Sequence, residues 1–357
     1  MKVTCTGYNQ NGEGIALYEN KVFYIPRLIM GEVAEVEVIE EHEKWGKAKI
    51  TTLIEESKNR IKDLPDDYEL IGGYELLHMN REEQTNFKVN KIINDFKQNS
   101  KTAIELKDML IGEKQFRYRN KITLHDGAFY MPKTNKRIFM DDFLLTDIKP
   151  KTSKSGDVII RKLDSTISGN KTDKIFTTDT MMGLQFKISL GAFYQVNKEM
   201  AEVAYQEILS FIDDDQEVLD LYSGIGTISL MVARNAKHVT GVEWTKPSHK
   251  DALHNAKKNE INNVTFLNMD VNKYMKQDDV KADIVIVDPA REGLKKKVTL
   301  AIKDLKPKRI IYLSCNPATQ AADFERLKDE YKIIYARPID MFPQTHHIEN
   351  LIVLDRK

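Results

Sequence analysis

The sequence predicts an α/β protein in which a mostly parallel sheet is preceded by a small β-barrel and a mixed α+β region. Strand and helix patterns alternate from about residue 185 to the C-terminus, which is typical of βαβ units. Several short strands separated by turn residues occupy residues 1–57, and closure into a barrel would remove their open edges. We therefore expect domains at residues 1–57, 58–184 and 185–357.

Composition and charge exclude several classes of protein. Of 357 residues, 41% are hydrophobic and 30% charged, and the formal net charge is zero, so any site for a polyanion must be a local patch. Two distant cysteines provide neither a disulfide framework nor a metal cluster. There is no signal-peptide pattern and no apolar run of membrane-spanning length. We expect a cytoplasmic monomer with no metal and no membrane contact.

The first region is predicted to be a barrel that binds nucleic acid. Its strand patterns cover residues 21–25, 33–39 and 46–50. Small barrels of this kind often bind single strands, and basic and aromatic side chains are available for one face. These are Lys21, Arg27, Lys44, Trp45, Lys47 and Lys49. A solvated charged surface would give the same pattern and stays an alternative.

The middle region mixes one helix with short strands. Apolar spacing predicts a helix over residues 81–98, and strand patterns follow over 116–124 and 128–131. Arg117, Arg119 and Lys121 alternate with other residues, so one strand face could carry a row of phosphate-contacting side chains. The polar face of an antiparallel sheet would look the same, so both interpretations stay open.

Acidic residues at the ends of four predicted strands point to a cofactor site in the last region. The strand over 217–221 contains Asp220 and opens into a loop with two glycines, Gly224 and Gly226, which let a ligand approach the backbone closely. Glu243 closes the second strand and suits ribose hydroxyls. The remaining two strands end in Asp270, which could meet an adenine edge, and in Asp288.

The glycine loop favours a particular class of cofactor. Ser229 stands where a third glycine would complete the pyrophosphate fingerprint of dinucleotide sites. The incomplete fingerprint disfavours a dinucleotide and favours a nucleoside cofactor without phosphates. S-adenosylmethionine is the common choice, so we expect a Rossmann-like S-adenosylmethionine methyltransferase domain.

Cys315 lies at the end of another buried strand, over residues 310–314. The sequence Ser314-Cys315-Asn316-Pro317 ends the strand abruptly, because proline cannot continue it. Most lone cysteines are buried structural residues. This one, however, falls at the sheet edge where α/β proteins bind ligands.

These motifs together resemble the RNA uracil-5 methyltransferase family, whose members make 5-methyluridine in ribosomal and transfer RNA. The resemblance covers residues from about 185 to the C-terminus. The N-terminal sixty residues are similar to the TRAM RNA-binding barrel that precedes the catalytic part in many members, whereas the middle matches weakly. The motifs that carry the resemblance are Ser314-Cys315-Asn316-Pro317, Asp220-Leu221-Tyr222-Ser223-Gly224-Ile225-Gly226, Asp288-Pro289-Ala290-Arg291, Phe193–Asn197 and the stretch 342–349.

The resemblance implies roles for individual residues. Cys315 would be the nucleophile that adds to C6 of uracil, and Glu349 would be the base that removes the C5 proton. Asp288 would also lie close to the target base. The implied S-adenosylmethionine positions are Gln195, Tyr222, Gly224, Thr227, Glu243, Asp270 and Asp288.

Two departures from the family pattern matter. Many members hold an iron–sulfur cluster on four cysteines, but the matching stretch here is Ile71-Gly72-Gly73-Tyr74, so we expect no cluster. Ala290 replaces the second proline of an Asp-Pro-Pro-Arg motif, which leaves the acid and the arginine in place. The expected substrate is RNA. The barrel favours 23S ribosomal RNA by family analogy, with transfer RNA as the alternative.

Three other functions fit the sequence less well. A cytosine-5 RNA methyltransferase usually pairs two cysteines at its site, and only Cys5 is available as a second thiol. An exocyclic-amine methyltransferase would need an aromatic residue where Arg291 stands. A non-catalytic RNA-binding or folding factor would not need both Cys315 and Glu349.

Overall fold

A computed structural model describes residues 1–66, 68–132 and 134–357 of the chain. The chain divides into two compact units. The first comprises Met1–Lys91, Tyr130–Lys136 and Phe342–His347, and the second comprises Ile92–Phe129, Arg137–Met341 and Ile348–Lys357. The functional division at residues 57 and 184 stays a prediction. No helix in the described ranges is both long and apolar enough to cross a membrane.

The first unit begins with the predicted barrel, which is closed with strand order β1-β2-β3-β5-β4. Alternate side chains along the strands point inward and form the barrel core, including Val3, Cys5 and Phe23. Gly46 is required by close packing, since a Cβ there would lie 2.5 Å from the Phe23 ring. The strands are β1 (Lys2–Tyr8), β2 (Gly14–Tyr18), β3 (Lys21–Ile25), β4 (Val33–Glu41) and β5 (Trp45–Glu55).

Most of the basic side chains proposed for the barrel's nucleic-acid face form ion pairs with glutamates. Lys21 contacts Glu41 at 2.5 Å and Lys47 contacts Glu40 at 2.5 Å. Lys49 is paired in the same way, with Glu37. Residues 1–57 carry ten Asp and Glu side chains and six Lys and Arg. The barrel region therefore has a net negative charge, and this charge does not favour binding of the negatively charged RNA backbone.

The stretch that corresponds to the family's cluster ligands is packed as hydrophobic core. Ile71 and Tyr74 are 5% and 2% exposed, and the neighbouring Leu76 and Met79 pack against Phe87 of helix α1 (Arg81–Asn99). The N-terminal turn of this helix carries Glu82 and Glu83, whose negative charges are stabilised by the positive end of the helix dipole. Ile71 and Tyr74 are thus buried side chains close in sequence to an apolar cluster formed with α1.

The second unit contains several short strands before its main sheet. Strand β6 begins only at Lys121, although the sequence pattern predicted a strand from residue 116. The difference has a local cause, because Arg117 has φ 56° and lies in the left-handed region, where a strand cannot continue. The strands are β6 (Lys121–His125), β7 (Phe129–Tyr130), β8 (Arg137–Ile138), β9 (Asp157–Lys162), β10 (Thr166–Gly169), β11 (Phe176–Met181) and β12 (Leu184–Ser189).

The main sheet has seven strands, and helices alternate with most of them as predicted. Its strand order is β15-β14-β13-β16-β17-β19-β18, in which the first five strands are parallel and the last two run antiparallel to their neighbours. The elements are α2 (Lys198–Leu209), β13 (Glu217–Leu221), α3 (Thr227–Val232), β14 (His238–Glu243), α4 (Lys246–Lys258), β15 (Val264–Asn268), α5 (Val271–Tyr274), β16 (Ile284–Val287), α6 (Lys296–Leu305), β17 (Arg309–Ser314), α7 (Pro317–Leu327), β18 (Tyr331–Ile339) and β19 (Glu349–Arg356).

The central strands are buried on both faces, as parallel strands covered by helices must be. All four residues of β16 are buried, and so are five of the six residues of β17. Because the five parallel strands end at the same edge, the residues that follow them converge there. Strand β19 runs in the opposite direction, so its first residue, Glu349, lies at this same edge.

Candidate active site

Cys315 lies where β17 ends and α7 begins. The Ser314 hydroxyl accepts a hydrogen bond from the Asn316 backbone N–H at 3.1 Å, which closes a tight turn around the cysteine. Pro317 occupies the first turn of α7, where a missing N–H costs nothing. The turn leaves Cys315 half-buried as a free thiol.

The strand register brings Glu349 beside Cys315. Ser314 pairs with Asn350 across β17 and β19, so the residues one step further, Cys315 and Glu349, are neighbours at the sheet edge. A buried amide contact fixes this register. Gln320 of α7 donates to the carbonyls of Tyr312 and Asn350, at 3.0 Å each, and accepts from Asn350 Nδ2 at 2.7 Å.

Asp288 and Arg291 reach the same edge on the loop after β16. Val287 pairs with Tyr312, which places Asp288 next to the end of β17. The loop is held against α7 because the Arg291 carbonyl accepts from Asn316 Nδ2 at 2.9 Å. Asn316 therefore connects the loop that carries the acid to the turn that carries the cysteine.

The charges at this edge strongly perturb one another. Burial raises the pKa of Cys315 to about 12, and the carboxyls of Glu349 and Asp288 contribute to the rise, whereas Arg291 opposes it. Burial also raises the pKa of Glu349 well above its usual value, with a further contribution from Asp288. Burial and then Asp220 likewise raise the pKa of Asp288 to about 7. Such shifts are typical of functional sites.

Glu349 has one carboxylate oxygen without a partner. Oε2 is buried and accepts no hydrogen bond from any residue that the structure describes, and the whole side chain is only 3% exposed. A buried carboxyl oxygen without a donor is costly. This oxygen is therefore open to a hydrogen bond from a bound molecule.

The glycine loop after β13 has the open backbone expected of a ligand site. Tyr222, Gly224 and Gly226 all have positive φ, at 68°, 56° and 82°. A Cβ on Gly226 would lie 2.6 Å from the Phe266 ring, so this glycine is required by packing. A Cβ on Gly224 would meet no atom within 4 Å, so this glycine faces open space.

Glu243 and the glycine loop are directly connected. Glu243 accepts from the Gly224 N–H at 3.1 Å and from the Thr245 N–H at 2.6 Å. Burial nevertheless raises the pKa of Glu243, since these hydrogen bonds only partly offset it. The carboxylate thus lies next to the open face of Gly224, with one loop N–H already bound to it.

Ser229 explains the incomplete glycine fingerprint. Its hydroxyl donates to Asp220 Oδ2 at 2.5 Å, and both side chains are buried. Burial raises the pKa of Asp220 to about 7, although the hydrogen bonds from Ser229 lower it. A glycine at position 229 would remove a donor from this buried acid.

The other predicted cofactor residues lie in the same unit. Thr227 is buried and begins α3, and Asp270 caps α5 by accepting from the Lys273 N–H at 3.2 Å. Burial and then Asp270 raise the pKa of Tyr222 to about 12, so these two side chains interact. Gln195 is buried in the segment before α2, and its backbone carbonyl accepts from Asn120 Nδ2 at 2.9 Å.

Tyr205 on α2 was missed by the sequence analysis. Its side chain is 5% exposed, and its hydroxyl lies in the field of the Asp288, Glu349 and Asp220 carboxyls, which together with burial raise its pKa well above the usual value. Helical spacing marks the position as core, and the influence of the three acids on its pKa is what links it to the site. The described residues contain no group of three or more His, Cys, Asp or Glu that could hold a metal ion.

Comparisons with known proteins support the same assignment. The model of the family described as tRNA (uracil-5-)-methyltransferase matches residues 171–357. A protein of Mycoplasma mobile described as an uncharacterized RNA methyltransferase is 49% identical, with 98% of this chain and 96% of that protein covered. A protein of Clostridium tetani with the same description is 28% identical, with coverages of 98% and 95%.

A solved structure shares the fold over nearly the whole chain. The Pyrococcus abyssi tRNA (uracil-54, C5)-methyltransferase, crystallised with S-adenosyl-L-homocysteine, superposes with a TM-score of 0.78 at 22% identity and 99% coverage of both chains. The predicted fold class is therefore confirmed, and so is the prediction of an RNA methyltransferase. On the family match and the Mycoplasma relative together, the chain belongs to the tRNA (uracil-5-)-methyltransferase family.

Proposed function

We propose that this protein makes 5-methyluridine in RNA through a covalent adduct between Cys315 and C6 of the target uracil. One observation carries the proposal. The register of β17 and β19 puts a half-buried thiol next to a buried carboxyl with a free oxygen. A nucleophile and a base at the same ligand-binding edge are what C5 methylation of uracil needs.

The chemistry follows from the weak nucleophilicity of uracil C5. The Cys315 thiolate forms a bond to C6, and the electrons of the C5–C6 double bond move toward the C4 carbonyl, so that C5 becomes enolate-like. S-adenosylmethionine, when bound, would supply the electrophilic methyl group to C5, its bond from the methyl carbon to sulfur would break, and neutral S-adenosylhomocysteine would leave. Glu349 then takes the C5 proton, the double bond re-forms, and the bond between C6 and sulfur breaks to release the cysteine.

The acids around the site fit the proposed cofactor. S-adenosylmethionine carries a positive sulfonium and a positive ammonium group, and such cations would favour the ionised forms of Asp220, Asp288 and Glu349, whose pKa values burial raises. Gly224 offers an open backbone, and Glu243 lies next to it. Gln195, Tyr222, Thr227 and Asp270 complete the proposed binding residues.

The same charges explain how the thiol could be activated. With a pKa of about 12, Cys315 is a thiol at neutral pH, and only the thiolate is nucleophilic. Burial is the main cause of this rise, and a cation bound among the neighbouring acids would offset the share that the carboxyls contribute. We therefore expect the thiolate to form only in the loaded site, which keeps the free enzyme unreactive.

We propose 23S ribosomal RNA as the substrate and keep transfer RNA as the second candidate. The ribosomal proposal depends on the N-terminal barrel and on family analogy. The Pyrococcus enzyme, described as acting on uracil 54 of transfer RNA, matches the full length of this chain, barrel included. At 22% identity that match shows the fold alone, so transfer RNA stays the second candidate and the RNA class that traps the enzyme distinguishes the two.

The barrel is proposed to contact RNA by stacking rather than by charge. The Trp45 ring stacks on His42 with centroids 4.1 Å apart, and Lys47 Nζ lies 5.4 Å from the Trp45 ring centroid. Aromatic platforms bind single-stranded bases without sequence preference. This contribution would survive the pairing of the barrel's lysines with glutamates.

The proposal is tested by trapping the adduct on a denaturing gel. The protein is incubated with S-adenosylmethionine and 5-fluorouridine-substituted ribosomal or transfer RNA. Since fluorine at C5 cannot leave as a proton does, the wild type should stall as a covalent complex with one RNA class. Cys315→Ala should form none and transfer no methyl group to normal RNA, while still binding S-adenosylmethionine.

Each outcome of the trapping experiment has a definite meaning. An adduct with one RNA class that disappears in Cys315→Ala supports the nucleophile and identifies the substrate class. Methyl transfer to RNA by Cys315→Ala would reject the mechanism. Cofactor binding with no adduct and no methyl transfer to either RNA would favour a non-catalytic RNA-binding factor.

A further inference from the structure

Four cationic side chains form a cluster in the second unit, here called the basic cluster: Arg119, Lys121, Arg161 and Lys171. Lys121 and Arg161 are directly opposite each other on the antiparallel strands β6 and β9. Opposed residues project from the same face of a sheet, with Cβ atoms about 5 Å apart. His125 and Asp157, four pairs further along, lie on the same face because side chains alternate, and their side chains bond at 2.6 Å.

Arg161 is completely buried, yet only one of its nitrogens has a partner. Nη2 donates to the Ala192 carbonyl at 2.8 Å, whereas Nε and Nη1 are buried with no acceptor among the described residues. The guanidinium lies 5.9 Å from the Tyr194 ring centroid. The acid beyond that ring, Asp179, is engaged by the Tyr194 hydroxyl at 2.8 Å and by Lys198 at 2.7 Å.

The surrounding cations add to this unbalanced charge. Burial and, after it, repulsion by Arg161, Arg119 and Lys171 together lower the pKa of Lys121 to about 8. Lys171 is exposed and packs its backbone against Gly191, where a Cβ would lie 2.6 Å from the Lys171 carbonyl oxygen. A buried charge without a counter-ion costs several kcal/mol in proteins. An anion bound here would remove that cost.

The basic cluster is close to the proposed active site. Arg119 forms a β-bridge with Asn197, so the chain leading into Lys121 lies along the segment that carries Gln195. Asn197 Nδ2 in turn donates to the Met341 carbonyl at 3.1 Å. Met341 is two residues beyond Ile339, which pairs with Glu349.

We infer that the basic cluster binds a backbone phosphate of the substrate RNA next to the nucleotide that enters the active site. This inference rests on the proposed function, because it takes RNA as the substrate. Lys121 and Lys171 contact the phosphate directly, and Arg119 adds charge from the adjacent chain. Arg161 is buried and does not contact the phosphate, but its fixed positive charge attracts it. Phosphate contacts position RNA without reading its sequence.

Salt-dependent RNA binding tests this inference. Binding of fluorescently labelled ribosomal and transfer RNA transcripts is measured between about 50 and 200 mM salt for Lys121→Gln and Lys171→Gln. Each variant should weaken binding several-fold and reduce the slope of log K against log salt by roughly one. Lys162→Gln is the matched control, since Lys162 is exposed on the same strand and alternates to the other face from Arg161.

The outcomes separate this inference from the proposed function. A smaller slope of log K against log salt in both cluster variants, with no change in Lys162→Gln, supports the phosphate site, even if no methyl transfer is detected. Slopes equal to that of the control would reject it, even if the enzyme methylates RNA. Inorganic phosphate serves as a second probe. Protection of Lys121 from amine acylation by phosphate and not by RNA would also reject an RNA site.

Discussion

At the scale of single residues, the surroundings of the proposed nucleophile favour the neutral thiol. Reactive cysteines usually lie near cations that lower their pKa. Burial raises the pKa of Cys315 to about 12 with a contribution from two neighbouring carboxyls, and Arg291 is the side chain whose charge opposes the rise. Arg291 also lowers the pKa of Glu349. It therefore favours the charged form of both proposed catalytic groups.

This role of Arg291 predicts a measurable change in cysteine reactivity. Arg291→Gln removes the positive charge, so the pKa of Cys315 should rise further and its alkylation by iodoacetamide at pH 9 should slow about threefold, corresponding to somewhat under 1 kcal/mol of Coulomb energy at an exposed site. Arg291→Lys keeps the charge and should react like the wild type. The Cys315 peptide is quantified by mass spectrometry at several pH values.

Cys5 provides an internal control for this measurement. It is buried in the barrel, and burial raises its pKa to about 11. Its alkylation should be the same in all three proteins. Equal rates at Cys315 in wild type and Arg291→Gln would show that Arg291 does not set the state of the thiol.

The positions of some site residues could be predicted from the sequence, and those of others could not. Cys315, Asp288 and Glu349 lie in short motifs with turn residues or proline beside them, so their positions at strand ends could be predicted. Tyr205 and Arg161 could not, because each lies inside a regular element, where its pattern matches core or surface. Arginine is almost never fully buried, and a strand pattern therefore predicts an exposed one.

At the scale of secondary-structure elements, direction and register were the information that the sequence lacked. The buried strands β16 and β17 are short apolar runs followed by polar loops, and they were predicted. That β19 runs antiparallel to β17, and that Asn350 opposes Ser314, depends on the buried contact between Gln320 and Asn350. A register shift of one residue would turn Glu349 to the other face of the sheet.

The glycine loop yields a prediction with a matched pair of variants. Gly224→Ala should lower the free energy of unfolding by only about 1 kcal/mol, the usual cost of a left-handed residue, because the new methyl group meets open space. It should weaken S-adenosylmethionine binding at least tenfold, since that space is the proposed cofactor site. Urea denaturation and calorimetric titration measure the two effects.

Gly226→Ala should give a different result. Its methyl group would collide with the Phe266 ring at 2.6 Å, so we expect a loss of about 2–4 kcal/mol in unfolding free energy. If Gly224→Ala bound the cofactor as tightly as the wild type, the glycine loop would have to be removed from the proposed site.

At the scale of the whole molecule, a net charge of zero conceals an uneven distribution. Residues 1–57 have four more acidic than basic side chains, whereas residues 58–184 carry 23 basic and 19 acidic ones. Electrostatic attraction for RNA should therefore come from the middle region, which contains the basic cluster. The sequence could suggest the barrel as an RNA-binding module by resemblance. It could not show that Lys21, Lys47 and Lys49 would each be paired with a glutamate.

This distribution predicts two kinds of RNA contact with different salt dependence. Stacking contributes about 1–3 kcal/mol per base and releases no counter-ions, so Trp45→Ala should weaken RNA binding about tenfold without changing the salt slope. Leu17→Ala is the control, because Leu17 is 61% exposed on the same barrel and offers no aromatic ring. A change of slope in Trp45→Ala would mean that the barrel binds phosphates despite its negative charge. Unchanged affinity would mean that the barrel does not bind these RNAs, and substrate choice would then have to be sought in the second unit.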